Sequence, residues 1–214
     1  MKTVLTAIAV ACSAWALPGQ AAIVDIDLSG ASTGTLITAG GASFAQTFAG
    51  QSVSGIGITG SPTNPLTLQA AGSITVAFFD PGVSPASNSL LSQPGNAAPL
   101  SVLLDANADG FSWTMGFGDG GSVTADFFSS TCALVHTQTF SGLSGYAVFS
   151  VSALPAFHGI TFRDNDDAAG LRFQNMSYNT VPVPEPATWA LLVAGLGLVG
   201  AVGARRRKEE GVPA

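Results

Sequence analysis

The chain has 214 residues, including 26 glycines and 13 phenylalanines, and its formal net charge at pH 7 is −6. Between residues 22 and 180, ten aspartates oppose only two arginines, and lysine and glutamate are absent, so this stretch has a net charge of −8. Nucleic acid and anionic lipid are poor partners for this stretch, because phosphate binding needs clustered lysine or arginine. Cations or neutral polymers are better candidates; alternatively, the acidic surface only maintains solubility.

The first residues have the pattern of a secretory signal peptide. A positively charged start precedes an apolar run at residues 4–17, and Pro18 and Gly19 then break the helix ahead of small residues. We expect cleavage after Ala21, so that residues 1–21 are removed and the exported body begins at residue 22. Lipidation at Cys12 is the alternative, although that cysteine lies inside the apolar run.

Residues 22–180 show no helical periodicity, and apolar and polar side chains alternate repeatedly with a period of two, which is typical of half-buried strands. In residues 111–117 every odd-numbered side chain is large and apolar, which places Trp113 in the core. Similar runs occur at 74–78, 123–127, 160–163 and 171–174, with weaker ones at 43–48 and 53–58, and residues 146–151 suggest a strand buried on both faces. We predict an all-β fold, an antiparallel β-sandwich or jelly roll of eight to ten strands over residues 22–180.

The section from residue 80 to residue 100 lacks this alternation. It is rich in serine, proline, asparagine and alanine, and it is long for a connection inside a compact domain. We predict an ordered loop across one end of the sandwich, where binding surfaces tend to lie.

Residues 105–110 read Asp-Ala-Asn-Ala-Asp-Gly and match the first half of a calcium-binding loop. Oxygen ligands from Asp105, Asn107 and Asp109 can converge on one cation, while glycine at the sixth position allows a sharp turn. The match is partial, because the twelfth position is Gly116 and not a bidentate glutamate. The alternative is a turn whose side chains cap their own backbone.

A second acidic group lies near the end of the body, where Asp164, Asp166 and Asp167 place three carboxylates within four positions. They repel one another unless a cation, Arg163 or Arg172 relieves the charge. We predict either a calcium site that uses Asp164 and Asp166 or a cluster spread in solvent. The strand, acidic loop and final strand are similar in general plan to the last hairpin of galactose-binding-like jelly rolls, which bears on architecture alone.

Catalytic machinery is hard to assemble from these residues. The chain has two histidines, His136 and His158, no Gly-x-Ser-x-Gly elbow, and no glutamate between residues 22 and 180. We interpret His136 as lying on the polar side of a strand, and we predict that the protein is not an enzyme; a glycosidase with two aspartates is the least supported alternative. Cys132 is the one cysteine left after signal cleavage, so we predict a buried small hydrophobe there.

The C-terminal residues combine three signals in a fixed order. Pro184, Glu185 and Pro186 precede an apolar run at residues 187–204, and the basic cluster Arg205, Arg206, Arg207 and Lys208 follows, with a tail at 209–214. Prolines interrupt a helix, the apolar run is just long enough to cross a bilayer as a helix, and basic residues stop translocation. This order resembles the PEP-CTERM family of sorting signals, found on exported proteins of Gram-negative bacteria.

The resemblance implies specific roles for these residues and partners. Pro184, Glu185 and Pro186 match the recognition tripeptide, and residues 205–208 match the cytoplasmic anchor. It implies that residues 181–208 hold the protein transiently in the inner membrane until exosortase cuts near the tripeptide, which releases the body or passes it to a surface acceptor. The alternative is a plain single-span anchor.

Three functions remain for the body. A non-catalytic structural or adhesive protein of the cell surface or biofilm matrix fits the acidic sandwich best. A carbohydrate-binding module that contacts extracellular polysaccharide would use exposed aromatic side chains, for which Tyr146 and Tyr178 are candidates because Trp113 is assigned to the core. A secreted hydrolase is the third.

Overall fold

The structure is a computed structural model that describes residues 21–54, 57–79, 87–92, 99–117, 121–165, 172–182 and 196. Residues Ala22–Val181 form one compact unit. The predicted signal peptide up to residue 20 and the predicted C-terminal apolar helix, except for Leu196, lie outside the described residues. In the described part of the chain, no helix has the length and apolar character needed to cross a membrane.

The described residues form fifteen strands, and their pairings are antiparallel. The strands are β1 Ile23–Asp25, β2 Ile37–Ala39, β3 Ala42–Ala45, β4 Thr47–Phe48, β5 Ser52–Ser54, β6 Gly57–Thr59, β7 Leu68–Gln69, β8 Ile74–Phe79, β9 Ser87–Ser92, β10 Leu100–Phe117, β11 Ser122–Phe128, β12 Leu134–Ser141, β13 Gly145–Val151, β14 Phe157–Asp164 and β15 Arg172–Thr180. The predicted all-β antiparallel class is confirmed.

Strand β10 belongs to two layers. Residues 100–104 contribute to the first layer, which runs in the order β12-β11-β14-β10-β3-β2. Residues 111–117 contribute to the second layer, which runs β13-β10-β15-β9-β8, with β1 beside the end of β15. The chain thus builds both layers around one continuous strand.

The two layers face each other across an aromatic core. Trp113 of the second layer is fully buried, and its ring centroid lies 5.1 Å from Phe162 and 5.3 Å from Phe140, both of the first layer. Phe162 also lies 4.8 Å from Phe173 of β15. Contact between side chains of the two inner faces makes the unit a sandwich, and the predicted core position of Trp113 is confirmed.

A smaller cluster covers part of the outer face of the first layer. The strand pairs β4–β7 and β5–β6 form two small separate sheets, and Phe48 and Leu66 pack against Phe128. Gly159 of β14 leaves the space they need, because an added Cβ would lie 2.6 Å from Cζ of Phe48 and 2.8 Å from Cδ2 of Leu66.

Two sequence-based predictions of strand position were wrong. Strand β9 lies within residues 80–100, which we predicted as a loop; it pairs with β8 and β15, and its Leu90 is fully buried. Strand β13 is not buried on both faces, because among the described strands it pairs only with β10 and its Val148 is 59% exposed. In both cases tertiary pairing outweighs the local pattern.

Replacing the buried tryptophan tests the core assignment. Trp113→Ala is expected to lower the free energy of unfolding by about 3–5 kcal/mol, because a large ring is removed and the surrounding side chains close the cavity only in part. Val148→Ala, an apolar truncation on the exposed side of the neighbouring strand, should change it by less than about 0.5 kcal/mol. Denaturant midpoints measure both, and equal shifts would contradict the assignment of faces.

A single methyl group tests the outer cluster. Gly159→Ala is expected to lower the free energy of unfolding by about 1–3 kcal/mol, since Phe48 and Leu66 must move to admit the new Cβ. Gly30→Ala is the control, because nothing lies within 4 Å of its added Cβ. If thermal unfolding showed both variants unchanged, the packing of Phe48 and Leu66 on Gly159 would be refuted.

Candidate functional site

The residues predicted to carry sorting, Pro184, Glu185, Pro186 and the basic cluster 205–208, lie outside the described residues. The chain that leads to them is described as far as Pro182. Thr180, at the end of β15, donates its backbone N–H to the carbonyl of Ala22 at 2.8 Å, and the Ala22 N–H donates to Oγ1 of Thr180 at 2.9 Å. The first and last residues of the predicted exported body are therefore hydrogen-bonded to each other.

The first predicted calcium group lies in a strand and not in a turn. Asp105, Asn107 and Asp109 are within β10, and the pairing of β10 with β15 shifts at Asp109. Residues at alternate positions of a strand, such as Asp105 and Asn107, lie about 6.8 Å apart, whereas calcium ligands lie 2.3–2.6 Å from the ion. The turn interpretation was wrong, and calcium binding here stays a prediction.

Asp105 has a structural neighbour in Tyr178. The Tyr178 hydroxyl donates to the carbonyl of Gly41 at 3.1 Å, and burial, assisted by the negative charge of Asp105, raises the pKa of Tyr178 above its ordinary value. Tyr178 is buried. It is therefore not an exposed aromatic platform, and Tyr146 alone remains of the two tyrosines considered for sugar binding.

The second predicted calcium group is only partly described. Asp164, the last residue of β14, is 1% exposed, so it is not spread in solvent. Asp166 lies outside the described residues. In the ranges that the structure describes, no set of three histidine, cysteine, aspartate or glutamate residues is placed to hold a metal ion. Calcium binding by Asp164 and Asp166 stays a prediction.

His136 and Cys132 pack against apolar side chains. His136 of β12 pairs with Phe127 of β11, and their ring centroids lie 5.8 Å apart. Since directly opposed residues share a face, His136 points to the core side and not, as predicted, to the polar side. Cys132 is half-buried in the turn before β12 against the outer cluster, and burial raises the pKa of its thiol.

A polar network on the outer face of strands β11, β12 and β14 was missed by the sequence analysis. Arg163 donates from Nε to Oδ2 of Asp126 at 2.8 Å, and Thr137 donates its hydroxyl to Oδ1 at 2.8 Å. Thr124 lies 3.0 Å from the Thr139 hydroxyl. We call these residues, with Ser122 and Asn165, the threonine face.

The threonine face is internally satisfied. Asn165 donates from Nδ2 to the hydroxyls of Ser122 and Thr124, both at 3.1 Å, and the Asp126 carboxylate is held by two partners. The signal was present in the sequence as small polar residues at alternate positions of β11 and β12, but only the register of the sheet shows that they meet Arg163.

The second outer face lies on β13, β10 and β15, and we call it the tyrosine face. Tyr146 is paired with Gly116 and Val148 with Thr114, while Gln174 pairs with Thr114 from the other side. The Tyr146 ring covers Gly116 so closely that a Cβ there would overlap it. This face therefore carries an aromatic ring, an exposed valine, a hydroxyl and an amide.

Comparison with known proteins gives a family match at the C-terminus. Residues 182–208 match the family model of the PEP-CTERM protein-sorting motif. No curated protein matches the chain.

Several solved structures are distantly similar to the chain. One is a mutant of the family 29 carbohydrate-binding module CBM29-2 complexed with mannohexaose, at a TM-score of 0.40 and 14% identity over 75% of this chain and 93% of that chain. Another is CBM29_1, a family 29 carbohydrate-binding module from Piromyces equi, at a TM-score of 0.40 and 10% identity over 76% of this chain and 92% of that chain. A third is a mutant of the lectin binding domain of Lectinolysin complexed with Lewis b, at a TM-score of 0.35 and 15% identity over 44% of this chain and 71% of that chain. At these TM-scores the likeness carries no argument about this chain.

A metal titration tests both aspartate groups. If either binds calcium, the ion should raise the melting temperature more than magnesium does, because magnesium demands a regular octahedral site. A free calcium concentration of 100 times the Kd corresponds to about 2.7 kcal/mol of stabilisation. If the first group is the site, the double substitution Asp105→Asn and Asp109→Asn should abolish the calcium-dependent rise in melting temperature. If the second group is the site, Asp164→Asn with Asp166→Asn should abolish it.

Asp25→Asn, at an exposed position of β1, is the control for the loss of negative charge. Equal shifts with the two metals, or a calcium shift that survives both double substitutions, would exclude a calcium site at these aspartates.

Proposed function

We propose that this chain, which carries a PEP-CTERM sorting motif at residues 182–208, is an exported protein processed by exosortase, and that its body has a non-catalytic structural or adhesive role at the cell surface or in an extracellular matrix. The observation that carries the proposal is the motif match. Before processing, the predicted apolar helix holds the chain in the inner membrane, and signal peptidase acts at the N-terminal end.

The ends of the body support processing without unfolding. Strand β1 pairs with the last residues of β15, and the hydrogen bonds between Ala22 and Thr180 close this pairing. The predicted cut near residues 184–186 lies outside these hydrogen bonds, and the predicted cut after Ala21 converts the Ala22 N–H into an amino group that can still donate to Thr180. Each cut therefore leaves the paired strands intact.

The placement of Asp126 favours a non-catalytic body. A glycosidase needs two carboxyl groups that flank a sugar and exchange protons. Asp126 instead accepts hydrogen bonds from Arg163 and Thr137, with Arg163 Nη2 also 2.8 Å from Oδ2. The Asp126 carboxylate is therefore bound by structural partners within the sheet.

Carbohydrate binding is the second candidate function for the body. The specific observation that favours it is the tyrosine face, where the neutral polar residues Thr114 and Gln174, both buried, lie two residues along the strands from Tyr146 and Gly116. Sugars combine hydroxyl groups with apolar C–H surfaces, and binding sites for such ligands combine aromatic side chains with a few placed polar groups.

Mapping of the mature chain tests the export proposal. Intact-mass analysis of protein produced in an exosortase-containing Gram-negative host should find a product that begins at Ala22 and ends within residues 184–186. Replacement of Pro184, Glu185 and Pro186 by alanine should leave the C-terminal residues attached. Pro213→Ala, beyond the basic cluster, is the matched control and should be processed normally. Wild-type material that retains residues 205–208 would contradict exosortase processing.

A further inference from the structure

Strand β13 forms an open edge of the second layer. Among the strands that the structure describes, it pairs only with β10. Ala147, Val148 and Ser150 are exposed, Val148 at 59%. An edge strand presents backbone N–H and C=O groups that can pair with a strand of another chain. The free side of β13 is therefore a candidate interaction surface.

Two contacts show which backbone groups of β13 point outward. The Phe149 carbonyl accepts a hydrogen bond from the Ser112 hydroxyl of β10 at 3.3 Å, and a Cβ added to Gly110 of β10 would lie 3.1 Å from the Val151 carbonyl oxygen. The odd-numbered carbonyls thus face β10. Successive residues of a strand alternate in this respect, so the N–H and C=O of Val148 point away from β10, as do those of the other even-numbered residues.

The two edges of the second layer differ in how they are protected. At the β8 edge, Gly34 and Ile74 exchange two backbone hydrogen bonds of 2.8 and 3.1 Å, and the Val76 N–H donates to Oγ1 of Thr33 at 3.0 Å. Strand β13 contains no proline and no charged residue, and its register with β10 has no bulge. Natural edges are normally blunted by such features or by a covering segment. The β13 edge is therefore suited to pairing.

The β13 edge also lies in a neutral stretch of the chain. Residues 127–162 contain no aspartate, glutamate, lysine or arginine, whereas residues 22–180 carry a net charge of −8. A basic partner is attracted to the acidic surface elsewhere, and two acidic bodies repel each other unless they meet at a neutral surface. This charge distribution fits a contact between two copies of the chain.

Strand β12, the edge of the first layer, suits such a contact less well. Its Thr137 hydroxyl donates to Asp126 of β11, and Asp126 forms an ion pair with Arg163. Charged groups therefore lie one strand away from the β12 edge. The residues of β10 that pair with β13, 111–117, include no charged residue.

We propose that β13 pairs antiparallel with β13 of a second copy of this chain, so that the second layers of two bodies form one continuous sheet. Identical strands pair in this way about a two-fold axis, which uses the same surface on both copies. Val148 is the middle residue of the seven in β13, so an axis at Val148 pairs the strand along its full length. The pairing depends neither on processing nor on sugar binding.

This register joins the outward backbone groups and covers apolar side chains. An outward-pointing residue must oppose another one, and Val148 opposes Val148 of the second copy. The two exposed valines then lie side by side on the outer face. On the core side, Ala147 opposes Phe149, a half-buried ring whose centroid lies 5.9 Å from that of Trp113. Such apolar cross-strand pairs stabilise antiparallel sheets.

Disulfide trapping in the full chain, held in detergent with Cys12 and Cys132 replaced by serine, tests the register. Val148→Cys should form an intermolecular disulfide, because the Cα atoms of a hydrogen-bonded pair lie about 5.5 Å apart, within disulfide range. Ser150→Cys is the matched control on the same strand. Ser150 opposes Tyr146 of the second copy, so two such cysteines lie about 14 Å apart. Non-reducing electrophoresis should show a dimer for Val148→Cys and a monomer for Ser150→Cys.

Sedimentation in density-matched detergent tests the contact itself. The wild-type chain should sediment with twice the mass of one chain. Val148→Lys should sediment as a monomer, because two like charges would meet at the axis. Leu134→Lys is the matched control, since Leu134 is an aliphatic residue of β12 with a similar exposure of 57%, and it should remain dimeric. Circular dichroism checks that both variants are folded.

Three outcomes would overturn the proposal. The first is a wild-type chain that stays monomeric over a full concentration series. The second is equal disulfide formation in Val148→Cys and Ser150→Cys, which would indicate random collision. The third is a dimer that survives Val148→Lys, which would place the contact on β12 or on the apolar C-terminal residues.

Discussion

The architecture depends on a change of register within β10. Its large apolar core residues in the first layer are even-numbered, Leu100, Val102 and Leu104, whereas those in the second layer, Phe111, Trp113 and Met115, are odd-numbered. A strand alternates strictly between faces, so the core side can change parity only at a bulge. The pairing with β15 shifts between Ala108 and Gly110, which places Asp109 at that irregularity. One extra residue therefore lets a single strand face the core in both layers.

Strands in which apolar and polar side chains alternate could be predicted from the sequence. Strand segments in which this alternation is interrupted could not. Residues 74–78, 111–117 and 123–127 fall within β8, β10 and β11 because their periodicity reflects burial of one face. Residues 105–110 have the composition of a turn, since aspartate, asparagine and glycine also suit a bulge. Strand β9 reads Ser-Asn-Ser-Leu-Leu-Ser, which has no apolar–polar alternation and therefore gives no local strand signal.

The candidate binding surface was even less visible in the sequence. Tyr146 could be selected as an aromatic residue, but its position over Gly116 depends on pairing between strands 30 residues apart in the chain. Gln174 gives no sequence signal, because a glutamine at a strand position normally indicates exposure. Its burial without a hydrogen-bond partner is a property of the assembled sheet. The sorting motif, in contrast, is local and linear, so the sequence alone identified it.

Strand β15 connects two features of this molecule in one piece of backbone. It contains Gln174, ends at Thr180, and leads within two residues to the sorting motif at 182. A pull on the C-terminal side of the body therefore enters the sheet at the end of β15. The backbone hydrogen bonds that join β15 to β10 and β1 resist such a pull, because a force along the strand loads several of them together.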